Sequence, residues 1–215
     1  MTTGHRHEFD SELDAISSKV TELFAMLAED LPRATQALIS GENEILQVLA
    51  EREKMTDALY REIEELVSRE ILLQAPVASD LRFLLSVLRM VPEIERSHDL
   101  VMHIASQADH VLGSDLTGRA QGLVERLGKV VGQMWSQAAD AWRQRDSSAL
   151  LLLTDRLVEV HELDASLIAE LASGRLALPV AMEMAQVARD YKRLGAHAVN
   201  VARKVAYLAG SSTEP

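Results

Sequence analysis

The sequence predicts an all-α protein made of two tandem antiparallel three-helix bundles, with six long helices in total. Aromatic residues form only 4% of the chain while Ala, Leu, Val, Glu and Arg dominate, a composition typical of long packed helices. Apolar residues recur at steps of three, four or seven along six segments, as one face of a helix requires. A Gly-Ser break near the middle separates two sets of three segments, which indicates an internal duplication.

The first helix is predicted to cover about residues 8–40, with a stop at Ser40-Gly41; the second carries its apolar stripe from Ile45 to Leu73, and the third runs from Ser79 to about Leu112. Ser79, or a residue just before it, can cap the third helix, and Asp80 complements its dipole. Pro32 and Pro92 lie inside apolar stripes that continue on both sides of them. We therefore expect these prolines to kink their helices without ending them.

The second three helices are predicted to run from Leu116 to about residue 145, over 149–172, and from Val180 to Ala209. A stop at Gly113-Ser114, followed by a capping signal at Asp115, separates the two sets. The predicted domains are therefore residues 8–112 and 115–210. The tail GSSTEP is expected to be frayed. The apolar periodicity alone would also suit a spectrin-like or coiled-coil scaffold.

Composition excludes several classes of protein and site. There is no cysteine, so any metal must bind to oxygen or imidazole. No apolar run approaches the roughly 20 residues of a membrane span, and the N-terminus has no signal-peptide segment, which predicts a soluble, intracellular protein. The 33 acidic and 22 basic residues give a formal net charge of −11. Such a charge disfavours nucleic-acid binding.

Two carboxylate pairs make a candidate metal site in the first half. Glu95 and Asp99 share a helix face, His103 continues that row, and Glu53 and Asp57 have the same spacing on the preceding helix. An antiparallel arrangement of the two helices would bring the four carboxylates together, and a divalent or trivalent cation would relieve their repulsion. The alternative is a solvated charged surface, since i, i+4 carboxylates are common there.

The sequence contains few other motifs that would indicate a metal centre or an enzyme active site. Glu95-x-x-His98 matches one element of a ferritin-like di-iron bundle, but the required second copy is missing, so His98 is predicted to lie on the helix surface. No Ser-His-acid arrangement and no glycine-rich phosphate loop can be identified, so no catalytic residue is assigned. Four glycines interrupt helix four, which suggests close helix packing or a flexible, partner-binding helix: Gly118, Gly122, Gly128 and Gly132.

The run from Gln74 to Ala105 resembles the PhoU family of phosphate-uptake regulators. Its Pro-Val-Ala-x-Asp-Leu-Arg start falls on residues 76–82, and its Glu-Arg-x-x-Asp element falls on 95–99. The segment KRLGAHAVNVA at 192–202 is similar to the matching motif of the second repeat in that family. The resemblance covers essentially the whole chain, including its duplication.

This resemblance implies a six-helix, cytoplasmic adaptor without catalysis, often a homodimer. Family members act as negative regulators of the phosphate-starvation response, linking a phosphate ABC transporter ATPase to a phosphate-sensing histidine kinase. They bind divalent-metal or iron clusters through carboxylate motifs. Transferred residue by residue, the motifs of the first repeat fall on Glu53, Asp57, Glu95 and Asp99, all of them present.

The second repeat departs from this pattern. Its four corresponding positions are Val160, Asp164, Lys192 and Ala196. Since three of four carboxylates are missing, the second metal site is predicted to be lost. Asp164 would be costly to bury unpaired, so Lys192 is predicted to pair with it, or with Glu159 or Glu162, and to replace the cation.

Two other functions stay open at this point. A metal-dependent enzyme or metal-storage bundle would need the missing second carboxylate set. A divergent PhoU-like scaffold could serve another transporter or a stress or drug-tolerance pathway.

Overall fold

A computed structural model describes residues 3–41, 43–109 and 116–210. It confirms the all-α architecture, with six helices in the described part of the chain. They are α1 (Thr3–Ser40), α2 (Asn43–Gln74), α3 (Ala78–Ser106), α4 (Gly118–Gln144), α5 (Ala149–Leu171) and α6 (Leu178–Leu208). As predicted, α1 and α3 continue through Pro32 and Pro92.

The third helix ends earlier than predicted. It stops at Ser106 and not near Leu112, and a single 3-10 turn follows at Gln107–Asp109. The last carbonyls of a helix lack intrahelical partners, and a tighter turn is a common way to satisfy them. This turn keeps Ala108 buried against the core, so the apolar pattern continues past the end of the helix. The predicted domain boundary and the tail after Gly210 lie outside the described residues.

The cap of α3 falls just before Ser79, as one of the two predicted alternatives, while the predicted capping signal at Asp115 lies outside the described residues. The residue before α3 is Val77, in an extended conformation and without a side-chain cap, while Ser79 lies within the first turn. At α4 the cap is Thr117, whose hydroxyl accepts a hydrogen bond from the backbone amide of Ala120 at 3.1 Å. A threonine in this place satisfies one of the free amides of the first turn.

Helices α1–α3 form one bundle and α4–α6 form the other. In the first bundle α1 and α2 are antiparallel, as the ion pairs Lys19–Glu62 (2.8 Å) and Arg69–Glu12 (3.1 Å) show. The bundles dock through α1 against α4 and α3 against α6, and their buried apolar residues form a single core. No helix within residues 3–41, 43–109 and 116–210 combines the length and apolarity that crossing a membrane requires.

Aromatic side chains fill the space between the bundles. The Trp135 ring lies 6.2 Å from the Phe24 ring, and its indole nitrogen donates to the Leu194 carbonyl at 3.2 Å. The hydroxyls of Thr35 and Tyr191 lie 2.7 Å apart in the same buried region. Each polar atom in these two contacts has a partner, whereas the buried indole nitrogen of Trp142, whose ring stacks on Phe83 of the other bundle at 5.8 Å, has none among the described residues.

The glycines of α4 have different roles. A Cβ at Gly128 would lie 2.6 Å from the Thr35 hydroxyl oxygen, whereas a Cβ at Gly118, Gly122 or Gly132 would have nothing within 4 Å. Close packing therefore explains Gly128 alone. Both Gly128 and Gly132 border an open groove of roughly 660 Å³ between α1 and α4, which Pro32 and Thr35 also line.

The two inner glycines provide a matched test of this packing. Gly128→Ala should destabilise the protein by roughly 1–3 kcal/mol, because the new methyl group would lie 2.6 Å from the Thr35 hydroxyl oxygen and force this hydrogen-bonded side chain to move. Gly132→Ala should stabilise it by up to about 1 kcal/mol, because alanine favours the helix and the added methyl group meets open space. Urea unfolding followed by circular dichroism measures both changes.

A double variant identifies the cause. If the collision is responsible, Thr35→Ala should recover part of the loss caused by Gly128→Ala, so that the two changes are not additive. Equal stabilisation by both alanines would contradict the close approach of α4 to α1.

Candidate functional site

Three carboxylates of the predicted metal site face one another across α2 and α3. Burial raises the pKa of Glu95, and the nearby charges of Asp99 and Asp57 raise it further. Glu53 lies one turn before Asp57 on α2 and is half-buried. The antiparallel packing of α2 and α3 thus places acidic groups of both helices close enough to repel one another.

Two further residues belong to this group and were missed by the sequence analysis. The Tyr60 hydroxyl donates to a Glu64 carboxylate oxygen at 2.8 Å. Burial raises the pKa of Tyr60 to about 12, and the charges of Glu64 and Glu95 contribute. Glu64 follows Asp57 by seven residues, so a heptad count along α2 could have identified it.

The donor set suits a hard cation, since carboxylate oxygens are the preferred ligands of such metals. The mutual repulsion that raises the pKa of Glu95 is also what a bound cation would relieve. Within the described ranges, no three acidic or histidine side chains already converge in a metal-holding arrangement. Side-chain rotations on α2 and α3 would therefore have to close the carboxylates around an ion.

The equivalent position in the second bundle holds an internal ion pair. Lys192 Nζ on α6 lies 2.9 Å from the Asp164 carboxylate on α5, which confirms the predicted pairing. The Asp164 side chain is only 14% exposed, whereas that of Lys192 is 42% exposed. An ammonium group thus neutralises the one carboxylate retained from the motif.

His98 contradicts its predicted surface position. Its side chain is 2% exposed, and its Nε2 lies 2.9 Å from a carboxylate oxygen of Asp30, which is itself fully buried. Asp30 also accepts a hydrogen bond from Arg52. The prediction was wrong because His98 is four residues after Ile94 and therefore shares the apolar face of α3. Its imidazole is thus held by a carboxylate of α1.

Histidines also join the two bundles. Where α3 and α6 run antiparallel, which we call the α3–α6 seam, His103 Nδ1 lies 2.5 Å from Asp190 and His197 Nδ1 lies 2.9 Å from the Ser97 hydroxyl. His103 therefore contacts the opposite bundle as well as following the Glu95 row. Burial lowers the pKa of His197, and the charges of Arg193 and Arg96 assist while that of Glu93 opposes.

A double-mutant cycle tests the ion pair of the second bundle. Lys192→Met and Asp164→Asn, made singly and together, should show a favourable coupling of about 0.3–1 kcal/mol, the range for a partly exposed pair. The coupling should fall in high salt. The more exposed pair Arg126–Glu159, whose atoms lie 3.4 Å apart, is the control and should couple less.

A coupling of zero would show that Lys192 does not stabilise Asp164. Crystals grown with manganese or iron that contain metal beside Asp164 would show that Lys192 has not replaced the cation.

Comparison with known proteins places these features in a family. The family model described as the PhoU domain matches residues 8–108 and 124–205. The phosphate-specific transport system accessory protein PhoU homolog 1 of Mycobacterium leprae is 28% identical, over 96% of this chain and 95% of the relative. PhoU homolog 2 of Mycobacterium tuberculosis is 27% identical, over 95% of this chain and 97% of the relative.

Solved structures agree with the described fold. The crystal structure of PhoU from Pseudomonas aeruginosa superposes with a TM-score of 0.88 at 25% identity, covering 95% of this chain and 100% of that one. The family model extends over most of both bundles. The chain therefore belongs to the PhoU family.

Proposed function

We propose that this protein is an accessory regulator of phosphate transport that acts by binding partners and not by catalysis. The observation that carries the proposal is the family match across both bundles, together with relatives named as phosphate-specific transport system accessory proteins. The proposed partners are the ATPase of a phosphate ABC transporter and a phosphate-sensing histidine kinase. The proposed effect is negative regulation of the phosphate-starvation response, exerted in the cytoplasm by a homodimer.

The roles of the buried polar groups support a binding scaffold. Asp30 is paired with His98 and Arg52, and Asp190 is paired with His103. Such pairs satisfy groups that would otherwise be costly to bury. Joining the helices is thus enough to explain why these charged side chains are buried.

Exposed apolar side chains supply surfaces for partners. On the outer face of α5, Leu151 is 70% exposed and Val158 is 57% exposed, and Met55 on α2 is 58% exposed. Large apolar side chains in contact with solvent are common at protein–protein contact surfaces when they group together. They support regulation through helix-surface contacts.

We also propose that the first bundle binds a divalent cation or an iron cluster through Glu53, Asp57, Glu95 and Asp99, and that the second bundle has lost its site. The raised pKa of Glu95 supports the first part, since it reflects crowded carboxylates in partly buried surroundings. The contact between Lys192 and Asp164 supports the second part. Carboxylates would supply the metal with hard oxygen ligands.

Glu95→Gln tests the metal proposal and has opposite effects with and without metal. In chelator the variant should raise Tm by up to about 3 °C at pH 7, because it removes a partly solvent-screened repulsion. A raised carboxyl pKa means that the folded protein holds this proton more tightly than the unfolded chain does. Ionised Glu95 therefore lowers the free energy of unfolding by its full amount above the raised pKa. This destabilisation disappears below about pH 4.3, where the carboxyl group is protonated in the unfolded chain as well.

With manganese or iron added, the wild type should gain Tm with rising metal concentration and Glu95→Gln should not, because only the folded wild type binds the ion. Elemental analysis of the Glu95→Ala, Asp99→Ala double variant should show the metal lost. Glu51→Gln is the control, since this exposed residue lies two positions from Glu53, on the opposite side of α2. Equal metal content in all variants would contradict the assignment.

The regulatory role is tested in cells. Tagged protein recovered from cells in high and low phosphate should bring with it a phosphate-transporter ATPase or a histidine kinase. Deletion of the gene should leave a phosphate-starvation reporter active in high phosphate, and wild-type protein should restore repression. An unchanged reporter with neither partner recovered would instead support a PhoU-like scaffold that serves another transporter.

A further inference from the structure

A pocket of roughly 400 Å³ lies between the two bundles, on the α3–α6 seam. Its polar and charged lining comes from both helices: Arg96, Asp99 and His103 of α3, and Gln186, Arg189, Asp190 and Arg193 of α6. The pocket is therefore complete only where the two bundles are docked.

Three guanidinium groups surround this pocket, in a chain whose acidic residues outnumber its basic residues by 33 to 22. Arg189 and Arg193 are four residues apart on one face of α6, where like charges repel. Within residues 3–41, 43–109 and 116–210, neither side chain forms a hydrogen bond or ion pair. Two neighbouring arginines thus stay without a carboxylate partner in a strongly acidic protein.

The carboxylates in the pocket do not balance this charge. The lining has three arginines and two aspartates, and one of the two carboxylate oxygens of Asp190, Oδ2, lies 2.5 Å from His103 Nδ1. Asp99 is the remaining carboxylate of the lining and is exposed to solvent. Arg96 donates to the Pro92 carbonyl and to Glu93 along its own helix. The two arginines of α6 therefore keep donors available for an anion.

We propose that this pocket binds the phosphate group of a small molecule, either inorganic phosphate or a phosphorylated metabolite, with Arg189 and Arg193 as its principal ligands. Guanidinium groups suit this ligand because their planar donors pair with two oxygens at once. The amide of Gln186 adds a further donor. The pocket has room for an organic group or bound water beside the phosphate, since small-molecule sites begin at about 300 Å³.

The proposal deepens the proposed regulatory function, on which it rests for the relevance of phosphate. A ligand held here would contact α3 of one bundle and α6 of the other. It would stabilise the docked arrangement by an amount that grows with the logarithm of the ligand concentration relative to its Kd. Occupancy of the pocket would thus make the stability of the contact between the two bundles depend on phosphate concentration.

Calorimetric titration of the purified full-length chain tests the binding directly. Inorganic phosphate and ATP are titrated separately in chelator at constant ionic strength, with chloride as the competing anion. Binding of either ligand is expected, and the double variant Arg189→Gln, Arg193→Gln should bind it at least about tenfold more weakly. Arg203→Gln is the control, because Arg203 is an exposed residue of α6 outside the pocket lining, and its binding should equal that of the wild type.

Arg193→Lys separates bonding geometry from charge and covers the case in which the double variant does not fold. It keeps the charge but removes the bidentate contact, so binding should weaken less than in Arg193→Gln. Binding of phosphate but not ATP, or of ATP but not phosphate, identifies the source of the phosphate group, and either result supports the site.

Three results would overturn the proposal. The first is absence of binding for both ligands. The second is binding that needs added manganese and is unchanged in the arginine variants, which would place the anion on a metal. The third is a set of arginine variants that still bind phosphate and ATP but no longer bind a protein partner. That result would assign the pocket to an acidic protein segment. Because these measurements use purified protein, they can fail while the cellular partner and reporter experiments succeed.

Discussion

Burial of both bundles in one continuous apolar core is the constraint on which the other features depend. Trp135 illustrates it, since the ring is 1% exposed, lies near Phe24 of the first bundle and donates to the Leu194 carbonyl of its own. A side chain of this size stabilises the docked state mainly by the apolar area it removes from water. Because this core holds α3 beside α6, polar residues far apart in the chain meet at the seam.

The buried polar contacts follow from that docking. Thr35 and Tyr191 come from different bundles, and so do His103 and Asp190. Their hydrogen bonds offset the cost of removing these groups from water, and they fix the relative position of the helices more narrowly than apolar contact does. The seam is therefore both a structural joint and a place where side chains of the two bundles form a shared surface.

Local apolar patterns were sufficient to predict the number and approximate bounds of the helices. Comparison of the two repeats was sufficient to predict one contact of the candidate site, between Lys192 and Asp164. Lys192 could be matched to Asp164 because both occupy motif positions that the duplication places on adjacent helices. The spacing of His98 from Ile94 could have placed it on the apolar face of α3, but its partner Asp30 is 68 residues away and could not be identified from local sequence. Arg189 and Arg193 passed unnoticed for the same reason, since α3 completes their pocket. The early end of α3 at Ser106 was missed because apolar periodicity does not locate the last residues of a helix.

The ion pair of the second bundle also changes what that bundle can respond to. The Lys192 ammonium is attached to the chain, so its effective concentration beside Asp164 is set by the fold and not by the surrounding solution. It cannot dissociate or be exchanged for another ion. The carboxylates of the first bundle carry no such attached counter-charge within the motif itself. The cation site that we propose for the first bundle would follow the supply of free cations, whereas the charge of Asp164 in the second bundle is balanced by Lys192 whatever that supply is.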